Sequence, residues 1–215
     1  MVYPIGKILI APVYRLWIRN IKGIENVPEK DACIIAANHS SYYDALVIPS
    51  IIAPRIDKEV HALVNSHYWK PLITRFFLNV WKAVPVYVGR EKNSRRKNEM
   101  ALKKALSYLN NKDMLMIFPE GTRSFDGKLK KGYTGVAKLA LKSRIPVLPV
   151  GIIGSNNVLP RGKILPRFAR CDVRFGKPMF FEKYYNKKPN DKIYEEITRQ
   201  VMKEIAKLIE QEYNY

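Results

Sequence analysis

The chain reads as an α/β protein: a largely parallel central sheet flanked by helices, preceded by an N-terminal amphipathic helical element. Three observations carry that reading. From residue 20 onward, short apolar runs alternate with longer helical patterns. Strand then helix, repeated, makes crossover units whose strands run parallel and are covered on both faces. The two segments richest in reactive side chains follow directly on apolar runs, and open sheets of this kind collect their sites at the carboxyl ends of strands. The final stretch carries an apolar residue every third or fourth position, the signature of a helix packed on a core.

Residues 1–20 are apolar, with aromatics at Tyr3, Tyr14 and Trp17, while Lys7, Arg15 and Arg19 gather on one side of a 3.6-residue helix. Pro12 kinks such a helix or starts a fresh one. An apolar face opposite a cationic one suits a bilayer interface. It equally suits a helix packed on the domain, so the segment defines an element of its own (1–20) ahead of a single α/β domain (21–215). Within that domain the pairs of strand and helix are 32–37 with 45–52, 60–64 with 68–80, 84–88 with 97–109 and 114–118 with 132–142. A strand over 147–153 and one more over 172–175 follow. Polar residues 183–192 read as a loop. The terminal helix presents Ile193, Ile197, Val201, Ile205 and Leu208 to the core and is capped by Asn190 or Asp191. No repeat or low-complexity tract is present.

At 215 residues the chain suits one core. Lysine and arginine outnumber aspartate and glutamate 38 to 19, a formal +19 that draws polyanions: nucleic acid, anionic lipid or an acidic carrier protein. Cys33 and Cys171 are too few and too isolated for a disulfide framework or a zinc cluster, and read as buried thiols in a reducing compartment. No apolar run approaches the roughly 18 residues of a membrane span, because Lys7, Arg15 and Arg19 interrupt the first one. No charged region precedes that stretch and no small-residue cleavage site follows it, which argues against a secretory signal.

The chemistry lies in two blocks. Asn38-His39-Ser40-Ser41-Tyr42-Tyr43-Asp44 sets a histidine and an aspartate four intervening residues apart, close enough for one tight turn to bring the carboxylate onto the imidazole. A carboxylate on one ring nitrogen fixes the tautomer, and the other nitrogen can then take a proton near neutral pH. Such a dyad needs no nucleophile of its own, which fits the absence of a G-x-S-x-G elbow. Backbone N–H groups of the turn, or of the helix opening near Asp44, are candidates for an oxyanion site. The second block, Phe118-Pro119-Glu120-Gly121-Thr122-Arg123-Ser124, joins an acid, a hydroxyl and an arginine in a loop after a strand. Arg123 offers an anion a cationic fork, Gly121 lets the backbone come close and Thr122 adds a hydroxyl.

Together the blocks resemble the glycerolipid acyltransferase superfamily, in particular the 1-acylglycerol-3-phosphate (lysophosphatidate) acyltransferases, whose hallmarks are N-H-x-x-x-x-D and F-P-E-G-T-R-S. Lys22-Gly23-Ile24-Glu25-Asn26-Val27-Pro28 is similar to the family's lead-in strand and turn, residues 132–140 to its helix after the second block, and Val147-Leu148-Pro149-Val150 to its fourth block. One block departs: residues 83–90 lack the family's leading glycine and stretch the spacing before Arg90. The resemblance implies transfer of a fatty acyl group from a thioester, acyl-carrier protein or acyl-CoA, to the free sn-2 hydroxyl of lysophosphatidic acid. His39 would be the base and Asp44 its orienting partner, with Glu120, Gly121, Thr122, Arg123 and Arg90 binding the acceptor. Glu120 would hold Arg123 or hydrogen-bond the glycerol hydroxyl. No metal and no cofactor are implied beyond the thioester co-substrate. The expected setting is peripheral, on the cytoplasmic face of an anionic phospholipid membrane.

Rival readings share parts of this pattern. Glycerol 3-phosphate or another lysophospholipid would use the same dyad. A basic nucleic-acid module would explain the charge, but no recognition motif is present, so nucleic acid is not an expected partner. A membrane-bound interaction protein with a dead site conflicts with two intact blocks. His61 and His67 have no companions in sequence and read as structural. Gly132 and Gly135 lack the P-loop pattern and read as helix entry and packing. The cations between Arg90 and Lys104 read as a solvated helix face, or as a docking patch for lipid, carrier protein or coenzyme A phosphates.

Overall fold

The computed structural model describes residues 11–56, 58–88, 93–160, 162–163 and 165–215. Its centre is a seven-stranded sheet. The strands are β1 (Ile18–Lys22), β2 (Ile34–Ala37), β3 (Val60–Asn65), β4 (Val84–Val86), β5 (Met114–Ile117), β6 (Val147–Ile153) and β7 (Cys171–Phe175), in the spatial order β1-β7-β6-β2-β5-β3-β4. β2 to β6 run parallel, with Ile34 of β2 opposite Leu115 on one side and Val147 on the other. β7 is antiparallel to β6, and β1 is parallel to β7. The starts of β1 and β7 therefore share the edge at which β2 to β6 end.

The helices are α1 (Ala11–Arg15), α2 (Asp44–Ile52), α3 (Leu72–Val80), α4 (Ser94–Asn110), α5 (Gly135–Ser143), α6 (Ser155–Val158), α7 (Glu182–Tyr185) and α8 (Asp191–Leu208). Alternation along each central strand builds two cores. Ile34 and Ala36 of β2 face one way, with Leu115, Leu139, Val201 and Ile205; Ile35 and Ala37 face the other, with Val47, Ile48, Met116 and Leu148. A strand covered on both sides must be apolar at every position, and β2 and β5 are buried throughout. On α8, Ile197, Val201 and Ile205 are fully buried, each stabilising by about 1.5–3 kcal/mol. Asn190 caps that helix by accepting the Ile193 N–H at 3.0 Å.

Several expectations change in detail. Of the N-terminal element, residues 1–10 lie outside the described residues; its helix ends at Arg15, and residues 18–20 lie in β1 instead, the edge strand of the sheet, because Ile18 to Lys22 pair with β7. In the lead-in over residues 22–28, Lys22 closes β1 and Ile24–Asn26 form a 3-10 turn. The polar stretch 183–192 begins inside α7, where Tyr184 is buried against the core. Gly132 and Gly135 do serve packing and helix entry: a Cβ on Gly132 would stand 2.8 Å from Met202 Cγ, and Gly135 opens α5. Cys33 and Cys171 are free and buried, and burial pushes both thiols up to about 12.

One element breaks the pattern of inward apolar faces. α3 has no buried residue, and Leu72, Ile73, Phe76, Phe77 and Val80 stand 51–73% exposed. No described helix is long and apolar enough to cross a membrane.

Candidate active site

His39 lies in the turn between the end of β2 and the start of α2, and Asp44 is the first residue of that helix. The turn brings His39 Nδ1 to 2.9 Å from Asp44 Oδ2. The same oxygen accepts the Ser40 and Ser41 N–H groups, each at 2.7 Å. A fully buried carboxylate is costly unless compensated, and here three N–H donors and a helix N-terminus compensate it. A carboxylate can only accept, so Nδ1 carries the proton and the Nε2 lone pair is left for a substrate. The imidazole lies flat on the Phe118 ring, with centroids 4.0 Å apart, and its side chain is 16% exposed. Ring and carboxylate together fix its orientation.

Four N–H groups at the turn have partners within it. The N–H groups of Ser40 and Ser41 are taken by Asp44 Oδ2, that of Tyr43 by Ser41 Oγ at 3.1 Å and that of Asp44 by Ser41 O at 3.2 Å. These four are spent on holding Asp44 and the turn, so none of them faces an oxyanion. Asn38 fastens the block to the neighbouring strand, giving Nδ2–H to Ile152 O at 2.9 Å and accepting the Ile152 N–H at 2.7 Å.

The second block follows β5, the strand next to β2, and meets the first directly. Ser124 donates its N–H to His39 O at 2.7 Å, and His39 donates its own N–H to Glu120 Oε1 at 2.7 Å. Glu120 Oε2 accepts the Lys130 N–H at 2.9 Å. Glu120 thus does not pair with Arg123; its two oxygens each accept one backbone N–H. It is 2% exposed and staples the two blocks together. Burial pushes its carboxyl up to about 7, and the two N–H bonds keep it from rising further.

Arg123 is 9% exposed, with its guanidinium 3.5 Å over the Tyr42 ring. The Tyr42 and Tyr68 hydroxyls are 3.3 Å apart. Among the described residues no carboxylate pairs with Arg123, and its Nη1 has no hydrogen-bond partner. A buried, stacked guanidinium with no carboxylate partner among the described residues has donors to offer an anion. Gly121 sits at φ +66°, where a side chain is strained, and a Cβ there would press on the Tyr133 ring at 3.0 Å. Thr122 is exposed at the turn. Arg90 lies outside the described residues. The tyrosine pair was not foreseen in this role; Tyr42 stood within the first block, but nothing local linked it to Tyr68.

The other histidines stand apart from the dyad. His61 Nε2 lies 3.3 Å from Glu59 and 3.4 Å from Asp113, toward the opposite edge of the sheet. Of the described residues, only these three gather as ligand types fit for a metal ion, and Lys82 already binds Glu59 at 2.7 and 2.8 Å. His67 is exposed in the 3-10 turn Ser66–Trp69.

Comparison with known proteins bears on the same residues. Over 147 residues the chain is 31% identical to a 1-acyl-sn-glycerol-3-phosphate acyltransferase of Borreliella burgdorferi, a match covering 66% of this chain and 55% of that protein. It is 27% identical over 158 residues to the chloroplastic enzyme of that name from Arabidopsis thaliana, covering 73% of this chain and 41% of that one. The chain spans about half the length of the curated relatives it matches. The crystal structure of the 1-acyl-sn-glycerophosphate acyltransferase PlsC from Thermotoga maritima shares the fold, with a TM-score of 0.66 at 21% identity, covering 96% of this chain and 82% of that one. The acyltransferase family model matches residues 18–153, from the first strand through both blocks to the end of β6, and on that match the chain belongs to the acyltransferase family.

Proposed function

We propose that the protein transfers a fatty acyl group from a thioester to the sn-2 hydroxyl of 1-acylglycerol 3-phosphate, giving phosphatidic acid. The observation that carries this is the joining of the two blocks: a dyad held by Asp44 and Phe118, stapled through Glu120 to a loop whose buried Arg123 has no carboxylate partner among the described residues. The relatives' names supply the acceptor. His39 Nε2 takes the hydroxyl proton as the oxygen attacks the thioester carbonyl. The tetrahedral adduct then collapses and expels the thiolate, which takes the proton back from the imidazolium. Arg123 holds the acceptor's phosphate. The balance closes with acceptor and thioester alone, so no further cofactor enters. Acyl-carrier protein and acyl-CoA both suit a basic surface. The enzyme works at the cytoplasmic face of an anionic phospholipid membrane, where a lysolipid acceptor resides.

The test is thiol release by the full chain, supplied with acyl-CoA or acyl-carrier protein and one acceptor at a time. Release coupled to phosphatidic acid formation on adding lysophosphatidate is expected. Release with glycerol 3-phosphate alone, or with another lysophospholipid but not lysophosphatidate, would reassign the acceptor.

A further inference from the structure

Helix α3 turns its apolar face to the outside. At 100° per residue, Leu72, Phe76, Val80, Ile73 and Phe77 span an arc of about 140°, and these five are the exposed large apolar residues of the helix. The protein-facing side is the narrow one. Thr74 Oγ1 donates to Tyr68 O at 2.6 Å and lies 3.1 Å from Pro71 O, while Leu78 is half-buried. Trp69 Nε1 donates to Asn79 Oδ1 at 2.9 Å and ties the helix to the turn before it. A rigid helix presenting leucine, isoleucine, valine and two phenylalanines outward marks an interaction surface.

The rim identifies the partner. Lys70 and Arg75 are exposed, with no ion-pair partner among the described residues, and the sequence has no acid between Glu59 and Glu91. Apolar and aromatic residues inside a cationic rim match a bilayer bearing anionic headgroups. The position agrees. α3 leaves the same sheet edge as the dyad, and the hydroxyl of Tyr68, just before it, stands 3.3 Å from that of Tyr42, whose ring carries the Arg123 guanidinium. Other bulky apolar groups stand free on this edge: Leu165 and Phe168, between β6 and β7, are 76% and 113% exposed.

We propose that α3 is a membrane-docking wedge whose apolar face enters the headgroup boundary of an anionic phospholipid bilayer and sets the His39 edge against it. The orientation rests on the lipid-acceptor reading; the docking itself does not.

The test compares the full chain with Phe76→Ser/Phe77→Ser, first matched for circular dichroism and thermal unfolding. Vesicles are phosphatidylcholine alone or phosphatidylcholine with phosphatidylglycerol at 3:1. The double variant should lose roughly tenfold or more in affinity for the mixed vesicles. Its turnover of a short-chain lysophosphatidate dispersed in water should stay unchanged. As a second measurement, an environment-sensitive fluorophore on Ile73→Cys should shift to the blue on the mixed vesicles, and one on Met100→Cys, exposed on α4, should not. Vesicle affinity unchanged by the double substitution would overturn the proposal. So would a double variant that turns from dimer to monomer, which would make the face an interface between copies. Docking lost as expected, in a protein that never acylates lysophosphatidate, would overturn the functional reading and leave the wedge standing.

Discussion

Asp44→Asn removes one charge from the site and little else. In the native turn, Asp44 Oδ2 accepts three N–H groups, while Oδ1 has no hydrogen-bond partner. An amide can therefore put its oxygen where Oδ2 is and its nitrogen where Oδ1 is, keeping the Ser40 and Ser41 bonds. The buried NH2 is then unpaired, costing about 1–2 kcal/mol, and relief of the buried charge offsets part of that. What is lost is support for the imidazolium that forms as the acceptor is deprotonated. At 2.9 Å and an effective dielectric near 20, the ion pair is worth at most ~6 kcal/mol, of which the amide dipole retains a part. The expected fall in kcat is about 10³–10⁴, with a stability change under about 2 kcal/mol. Steady-state turnover at saturating substrates measures the first and urea unfolding the second. A kcat within tenfold of the native value in a stably folded variant would refute the dyad. Asp44→Ala, which strands three donors, should by contrast cost about 3–5 kcal/mol of stability.

Arg123→Ala should raise the Michaelis constant for lysophosphatidate roughly 10²-fold and leave that for the thioester nearly unchanged, since a phosphate loses its charge-assisted bonds; equal effects in a two-substrate analysis would make Arg123 structural. Glu120 titrates at about 7 in the fold against an ordinary 4.5, so the native state holds the extra proton and stability falls as pH rises through that window. The drop is ~3 kcal/mol, and Glu120→Gln should flatten it in urea midpoints taken from pH 4 to 8; an unchanged slope would contradict the assignment. Cys33 and Cys171, with thiols pushed up to about 12, should resist Ellman's reagent in the native protein and react when it is unfolded in guanidinium.

The sheet was legible because its strands are buried on both faces, so β2, β5 and β6 each stand as an unbroken apolar run between polar turns. The cap of α8 was legible because Asn190 acts on a residue three positions away. What depends on distant partners was not. β1 forms only because β7 offers it an edge, and nothing in residues 18–22 announces that. The outward face of α3 looks in sequence like any core stripe; periodicity reports that a face is apolar and not what covers it. The dyad was readable from spacing, since five residues close its turn. The bonds by which Glu120 joins the two blocks were not readable, because its partners are backbone groups of His39 and Lys130, which leave no trace in side-chain identity.

In the proposed mechanism His39 is the base of an acyl transfer to lysophosphatidate. The most direct measurement is the rate of phosphatidic acid formation by His39→Ala under saturating thioester and lysophosphatidate. His39 is a loop side chain whose backbone bonds to Glu120 and Ser124 survive the substitution, so fold and vesicle binding should be retained. The expected rate is lower by about 10²–10⁴ or more. A rate within a few-fold of the native enzyme, in a variant with native unfolding behaviour, would contradict it.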